Sequence, residues 1–471
     1  MSNKAAPFWE TPDPGVYGGR RGAIPDYLKQ IHPRKEQGLA HYHVGIDVGK
    51  TRHHACVHDT QVDTYSKVLS FSVDRPGFEG LLAFLESQAS KEELLVGVEA
   101  SGPYALTISY FLLEGGYQVV ELNPYQASQF RQAQGKKAKT DRVDARSLAA
   151  FLGVGSYKPL SLADPLLENL RELTRFRADL LQDRTRQLNR LQENLALSFP
   201  EPASHLTSFS SPTVLALLAT YPSPQALVAA GVAEVRDFLV QHSRGRLGQP
   251  QAQAILTAAA TTVGLLRRQR ALGLKLELLA QSIRSLNAQL ERVEEEIQEL
   301  FGQLPYDPSD FPVGGVQALA AILSEVQDIH RFPTLKQFLS HLGWCPKTFQ
   351  SGSFRLEHPR MSHAGNPYGR RMVWMLAIQA VRSVPAYRDY FQQRTAAGKK
   401  KMHSIVAVGR KLLSVIYAIL KTGRPYQAVT QVSGHLAVGN CSDSRGRTWV
   451  AALRADRPIS SAPTSARWEA S

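Results

Sequence analysis

The sequence predicts an α/β domain near the N-terminus followed by mainly α-helical regions. Three observations predict it. Residues 43–48, His-Val-Gly-Ile-Asp-Val, alternate with the period of a strand. Strand-like and helix-like stretches then follow one another to about residue 150. Beyond residue 160, two long stretches place leucine and isoleucine at helical spacing.

The elements follow in order. Residues 1–40 are rich in Pro, Gly and Arg and read as a flexible basic extension. Val44, Ile46 and Val48 mark the first strand. Ala55 and Val57 mark a second, and Val68, Phe71 and Val73 a third, which together make a meander. A helix over 76–87 leads to the strand Leu-Leu-Val-Gly-Val-Glu ending at Glu99. Pro103 suits the first turn of the next helix, where a missing N–H costs nothing. Gly115 and Gly116 end that helix. A strand over 117–122 and a helix from about Thr140 close the unit. The order βββαβαβα, over residues 41–158, is that of an RNase H-like (RuvC-like) domain.

Residues 159–304 read as a helical region. A long helix over 161–200 carries a leucine stripe from Leu166 to Leu195 and many arginines, Arg177 and Arg184 among them, for which a solvated charged face and nucleic-acid phosphate contacts are equally good readings. A small helical insert over 201–270 follows, with Pro222 and Pro224 between helices and a loop at Gly245, Gly248 and Pro250. Then Leu276, Leu279, Ile283, Leu286, Leu290, Val293, Ile297 and Leu300 repeat at 3, 4, 3, 4, 3, 4, 3, a heptad pattern. The partner of this coiled-coil helix is either the helix at 166–195 or a second subunit; spacing does not separate them. In residues 305–428, Gly314 and Gly315 precede an apolar run. There a turn and a backbone phosphate contact are equally good readings. Helices follow at 372–390 and 403–420. The Ser-, Gly- and Arg-rich tail, 429–471, is expected to lack regular structure.

Lys and Arg number 55 against 41 Asp and Glu, a formal charge of +14, and the isoelectric point is about 9.6. That excess favours a polyanionic partner, because neutralising phosphates releases counterions. The three cysteines, Cys56, Cys345 and Cys441, are far apart, which supports neither a zinc site nor a disulfide framework. No signal-like N-terminus and no uninterrupted apolar run of membrane-spanning length is present, so a cytoplasmic protein without a membrane partner is expected.

Four acids carry the chemistry. Asp47 lies in the first strand, Glu99 ends the fourth, and Asp141 and Asp144 share one face of the last helix at i and i+3. Singly, each has a structural reading as an edge acid or a helix-dipole partner. Jointly, they fall where such a fold gathers carboxylates, and clustered like charges repel unless a cation sits among them. Hard oxygen ligands of this kind suit Mg²⁺ and a phosphodiester. Lys136, Lys137, Lys139, Arg142 and Arg146 surround the last two acids and are candidates to hold a nucleic-acid backbone. A second group runs Thr348-Phe-Gln-Ser-Gly-Ser353 and then Met361-Ser-His-Ala-Gly-Asn366. Arg355, Arg370 and Arg371 are its candidate phosphate contacts. No Gly-x-Ser-x-Gly elbow surrounds Ser351, so an esterase triad is not indicated.

In combination these blocks resemble the DEDD transposases of insertion sequences of the IS-one-ten type, which include bridge-RNA-guided recombinases and relatives of the Piv invertase. Gly45–Lys50 resembles the first-acid strand, Val98–Tyr104 the Glu motif, and Asn123-Pro124 with Lys139–Ala145 the third block. Pro312–Val316 and Phe332–Gly343 resemble the start of a C-terminal transposase domain. Ser351-Gly352 falls on its catalytic serine motif, and Met361–Asn366 with Arg370 on the block after it. The chain departs from the family pattern at His363 and Gly369. The resemblance implies that the four acids bind Mg²⁺. It implies that Ser351 becomes covalently linked to DNA, and that acids and serine come from different subunits of a dimer or tetramer. A noncoding guide RNA that selects donor and target DNA is also implied. The alternatives are an RNA-independent, Piv-like invertase and a metal-dependent hydrolytic Holliday-junction resolvase.

Overall fold

The structure is a computed structural model. It describes residues 41–100, 102–133, 141–154, 157–201, 209–345, 350–351, 354–355, 361, 365–427, 441–442, 448–449 and 452–453, some of these by backbone alone. Contacts within the chain divide it into two units that meet at Ala163 and Asp164.

The first unit is a mixed seven-stranded sheet. β1 (Tyr42–Val48), β2 (Arg52–Asp59), β3 (Thr64–Tyr65) and β4 (Leu69–Ser72) form the meander. After helix α1 (Arg75–Glu86) comes β5 (Leu94–Glu99). After α2 (Pro103–Glu114) comes β6 (Gln118–Leu122). Helices α3 (Pro124–Ala133) and α4 (Asp141–Leu152) precede a short edge strand, β7 (Lys158–Pro159). The strand order is β3-β2-β1-β5-β6-β7, with β4 also on β2. β1 pairs antiparallel with β2 and parallel with β5, and β5 pairs parallel with β6.

Alternation sorts the strand residues onto two faces. Val44, Ile46, Val96 and Val98 pack under Phe78, Leu81, Ile108 and Leu112 of α1 and α2. Leu95, Val120 and Leu122 pack on the other face with Leu148, Phe151 and Leu152 of α4 and Ala127 of α3. The sheet is therefore covered by helices on both sides. The expected strands and helices are present; α3, β3 and β7 are additional. Asn123 explains the start of α3, since its side chain accepts from the backbone N–H groups of Tyr125 and Gln126.

The second unit is built on a hairpin of α5 (Pro165–Ser198) and α9 (Gln269–Phe301), 34 and 33 residues long. Arg177 pairs with Glu294 and Arg184 with Asn287, so a step of seven up α5 matches a step of seven down α9. The heptad helix thus has an antiparallel partner in its own chain. Leu276, Ile283, Leu290 and Ile297 are buried, while Leu279, Leu286, Val293 and Leu300 are only half-buried. The insert comprises α6 (Pro212–Thr220), α7 (Pro224–Ser243) and α8 (Gln249–Ala260), which share a core with the far end of the hairpin.

Helices α10 (Val316–Val326), α11 (Leu335–His341), α12 (Pro367–Ser383), α13 (Pro385–Ala396) and α14 (Lys401–Thr422) form a further core with the near end of α5 and α9. The single helix expected over 372–390 is two helices. Pro385 has no N–H to continue the ladder, and Val384 is extended at φ −112°, ψ 113°. The 22-residue α14 is long and apolar enough to cross a membrane, yet Leu412, Leu413, Ile416 and Ile419 are wholly buried in this core. Beyond α14, Tyr426–Gln427 pairs with Ala452–Leu453 and Cys441–Ser442 with Thr448–Trp449.

Candidate active site

Asp47 and Glu99 are neighbours by register. The parallel pairing of β1 and β5 runs from Tyr42↔Leu94 to Ile46↔Val98, so the next residues on each strand are Asp47 and Glu99. Adjacent strands lie roughly 4.8 Å apart. Both acids stand at the carboxyl ends of their strands, on the face that carries Gly45 and Gly97 and is covered by α4.

Glycine brings that helix close. A Cβ on Gly45 would lie 2.2 Å from the Ala149 nitrogen and 2.3 Å from the Ala145 oxygen, so α4 rests directly on the backbone of β1. Gly97 makes the same allowance for Leu152, where a Cβ would meet Cδ2 at 2.9 Å. Gly153, just past α4, lies against the His43 ring, two residues before Gly45. The helix therefore runs antiparallel to β1. Moving from Gly45 to Asp47 covers roughly 6.6 Å, equivalent to between four and five helical residues. That step leads from the contact at 145–149 back to the start of α4. The helix opening with Asp141 and Asp144 thus stands at the level of Asp47 and Glu99.

Asp144 is buried at 7% exposure, and its carboxylate accepts from the Arg131 guanidinium of α3. A carboxylate so buried needs a cationic partner, and Arg131 provides one. Among the described residues, no group of three or more His, Cys, Asp or Glu side chains is drawn together tightly enough to hold a metal ion. For Asp141 and Arg142 the structure describes the backbone of α4 only, and Lys136, Lys137 and Lys139 lie outside the described residues. Arg146 stacks over the Tyr65 ring at 5.3 Å. Two residues on from Asp144, it faces away from that acid around the helix, so it does not join the acids as expected.

In the second unit, Ser351 lies on β8 (Gln350–Ser351), paired antiparallel with β9 (Phe354–Arg355) in the register Ser351↔Phe354 and Gln350↔Arg355. The side chains of Ser351 and Arg355 are not among those described, and His363 lies outside the described residues. Arg370 and Arg371 occupy the first turns of α12; Arg371 is exposed and Arg370 half-buried. Gly369, a departure from the family pattern, has a packing reason: a Cβ there would meet the Leu342 side chain at 2.7 Å. Gly314 has φ 126° and packs against Leu319 and Leu376, and Gly315 is the N-cap of α10, so the pair turns the chain into that helix.

The basic face expected on α5 is largely turned inward. Arg177 is ion-paired to Glu294 at 2.6 Å, and Arg184 reaches Asn287 at 3.4 Å. Arg175 makes a two-point bond to Glu325, which raises its own proton affinity above the usual guanidinium value. Unspent charge lies instead at the start of α9. There the exposed Arg267, Arg268, Arg270 and Lys275 line an open groove with Leu197 and Leu265, and none of the four is ion-paired within the described residues. The run Leu-Arg-Arg-Gln-Arg at 266–270 was the available signal for this patch. Arg131 and Glu325 carried no signal, since neither lies in a motif.

Two family models match the chain, in order along it. Residues 44–200 match the DEDD transposase model of the IS110 type, described as "Transposase". Residues 309–392 match "Transposase IS116/IS110/IS902 family". Together the two ranges take in about half of the chain. The insertion element IS116 44.8 kDa protein of Streptomyces clavuligerus is 28% identical over 83% of this chain and 98% of its own length. The insertion element IS110 43.6 kDa protein of Streptomyces coelicolor is 28% identical over 82% and 95%. The pilin gene-inverting protein of Moraxella lacunata is 21% identical over 82% and 97%. DEDD transposases are generally metal-dependent enzymes. The acids of the first unit fall in the first matched range and Ser351 in the second, and the chain belongs to the IS110/IS116 family of insertion-element transposases.

Proposed function

We propose that this transposase cuts and exchanges DNA strands through a serine–DNA covalent intermediate, with its acids in an RNase H-like, RuvC-like domain holding Mg²⁺. The observation that carries the reading is the convergence of Asp47, Glu99 and the opening of α4 at one end of the sheet. The strand order, with antiparallel β1 to β4 followed by parallel β5 and β6, supports the same fold.

The residues fit the ion. All four candidate ligands, Asp47, Glu99, Asp141 and Asp144, offer hard carboxylate oxygens, which Mg²⁺ prefers. The guanidinium on Asp144 marks a place where positive charge is already favoured. Bound there, Mg²⁺ supplies charge neutralisation at the scissile phosphate and eases loss of the attacking proton. Ser351 Oγ attacks the phosphorus and gives up its proton; the P–O bond to one deoxyribose breaks, and that sugar oxygen takes a proton. One phosphoester replaces another, so the reverse step rejoins strands without ATP. Arg355, Arg370 and Arg371 are placed in sequence to hold DNA phosphates near the serine.

A noncoding RNA that selects donor and target by pairing accords with the +14 charge. The likeness to a pilin gene-inverting protein over nearly its whole length favours a second reading, an RNA-independent invertase. A two-plasmid recombination assay tests the chemistry. Ser351→Ala and Asp47→Asn each abolish recombinant junctions on this account; cutting that survives Ser351→Ala would instead fit a hydrolytic junction resolvase. Sequencing RNA that co-purifies with the protein separates guided from unguided action, a discrete species favouring guidance.

A further inference from the structure

The segment that bears Ser351 runs between Trp344 and Gly365. Its two ends touch. A Cβ on Gly365 would lie 2.7 Å from Gly343 Cα and 2.6 Å from Ser340 O, and both glycines have positive φ, 66° at Gly343 and 88° at Gly365. Only glycine takes this conformation at so close an approach. The departing end is fixed by Trp344, whose indole N–H donates to Val406 O at 3.0 Å. The returning end is fixed by Asn366, whose backbone N–H donates to His341 O at 2.9 Å.

Asn366 does more than close this neck. Its side-chain oxygen accepts from Gly369 N at 3.0 Å and caps α12. Its amide N–H donates to a carboxylate oxygen of Glu325 on α10. Glu325 is 4% exposed and also accepts from Arg175 of α5, at 2.7 Å on Oε1 and at 3.0 Å on the Oε2 that Asn366 reaches. The Arg175 guanidinium in turn lies 5.1 Å over the Tyr368 ring, two residues past Asn366. A buried carboxylate held by a half-exposed guanidinium is a costly way to join two helices, since apolar residues of like volume serve stability as well or better. What it adds is direction: a two-point guanidinium bond and one amide bond hold Asn366 at a single place.

Resting on the serine mechanism proposed above, we infer that Arg175, Glu325 and Asn366 are positioning residues that hold the neck of the serine-bearing segment. They tie the place of Ser351 to the long hairpin. They touch no reacting atom. Their effect falls on the rate of the covalent step, where a displacement of about 1 Å costs up to roughly 100-fold, and not on DNA affinity.

The test uses the full-length protein with its co-purified nucleic acid and a labelled DNA substrate in single turnover. Adduct formation is followed on denaturing gels, DNA affinity by titration, and stability by thermal melting. Asn366→Ser retains a good helix cap but cannot reach Glu325. Glu325→Gln retains shape but loses the charge. Each is expected to slow adduct formation by roughly tenfold or more with DNA affinity and melting close to the parent's. Adding Arg175→Lys to Glu325→Gln is expected to cost little more, because the three residues act as one chain. If both single variants form adduct at the parental rate while Ser351→Ala forms none, the positioning role is wrong and the serine mechanism stands. If rate, affinity and melting fall together, the network is merely structural and the inference is overturned. If the parent protein forms no adduct, the serine mechanism fails and this inference with it.

Discussion

At Asp144, a single side chain shows how the site manages its own charge. It is nearly buried, and the Arg131 guanidinium is its partner. Removing that partner strands a buried carboxylate, a loss of about 3 kcal/mol. Arg131→Ala is therefore expected to melt at a lower temperature, and millimolar MgCl₂ should restore more of that loss than it adds to the parent. Thermal melting with and without the salt checks this; an equal response in both proteins would show that Asp144 does not meet the ion. Asp47→Asn removes one of the proposed Mg²⁺ ligands, and a loss of roughly 100-fold or more in strand cleavage is expected from the charge stabilisation that a metal provides.

At the scale of elements, the site depends on α4 lying flat against β1. Gly45→Ala would place a Cβ inside the helix backbone, and overpacking of that kind costs about 3 kcal/mol or unseats the helix. Denaturant titration of the variant is expected to show that loss together with loss of cleavage. β2 adds a pH response. His53 is wholly buried between Phe71 and Phe78, and burial holds its imidazole below the ordinary value of 6.5. The unfolded chain then binds the proton more readily. This contribution to stability is complete above about pH 6.5 and is lost as pH falls from there toward the lowered folded value. His53→Gln should flatten that part of the stability-against-pH profile, which melting curves between pH 5 and 8 would reveal.

At the scale of the whole molecule, sequence carried what is periodic or local. The alternation around Asp47, the Pro103 and Gly115 boundaries of α2 and the heptads of α9 were legible because each depends on near neighbours. The break at Val384-Pro385 was legible in principle and is a local proline effect. What was hidden depends on partners far along the chain. Arg175 and Glu325 meet across 150 residues, and Arg131 meets Asp144 from a helix with weak periodicity. The partners of Arg177 and Arg184 are hidden in the same way, since they lie on α9. The division of the acids and Ser351 between two units suggests an assembly test. Mixing Asp47→Asn with Ser351→Ala protein should restore part of the recombination that neither has alone, if subunits share a site; no recovery would require both groups from one chain. The most direct measurement is the identity of the residue that holds DNA. Protein trapped on labelled DNA, digested and mapped by mass spectrometry, should carry a nucleotide on Ser351 and on no other residue. A nucleotide on a different side chain, or cleavage with no adduct at all, would contradict the account.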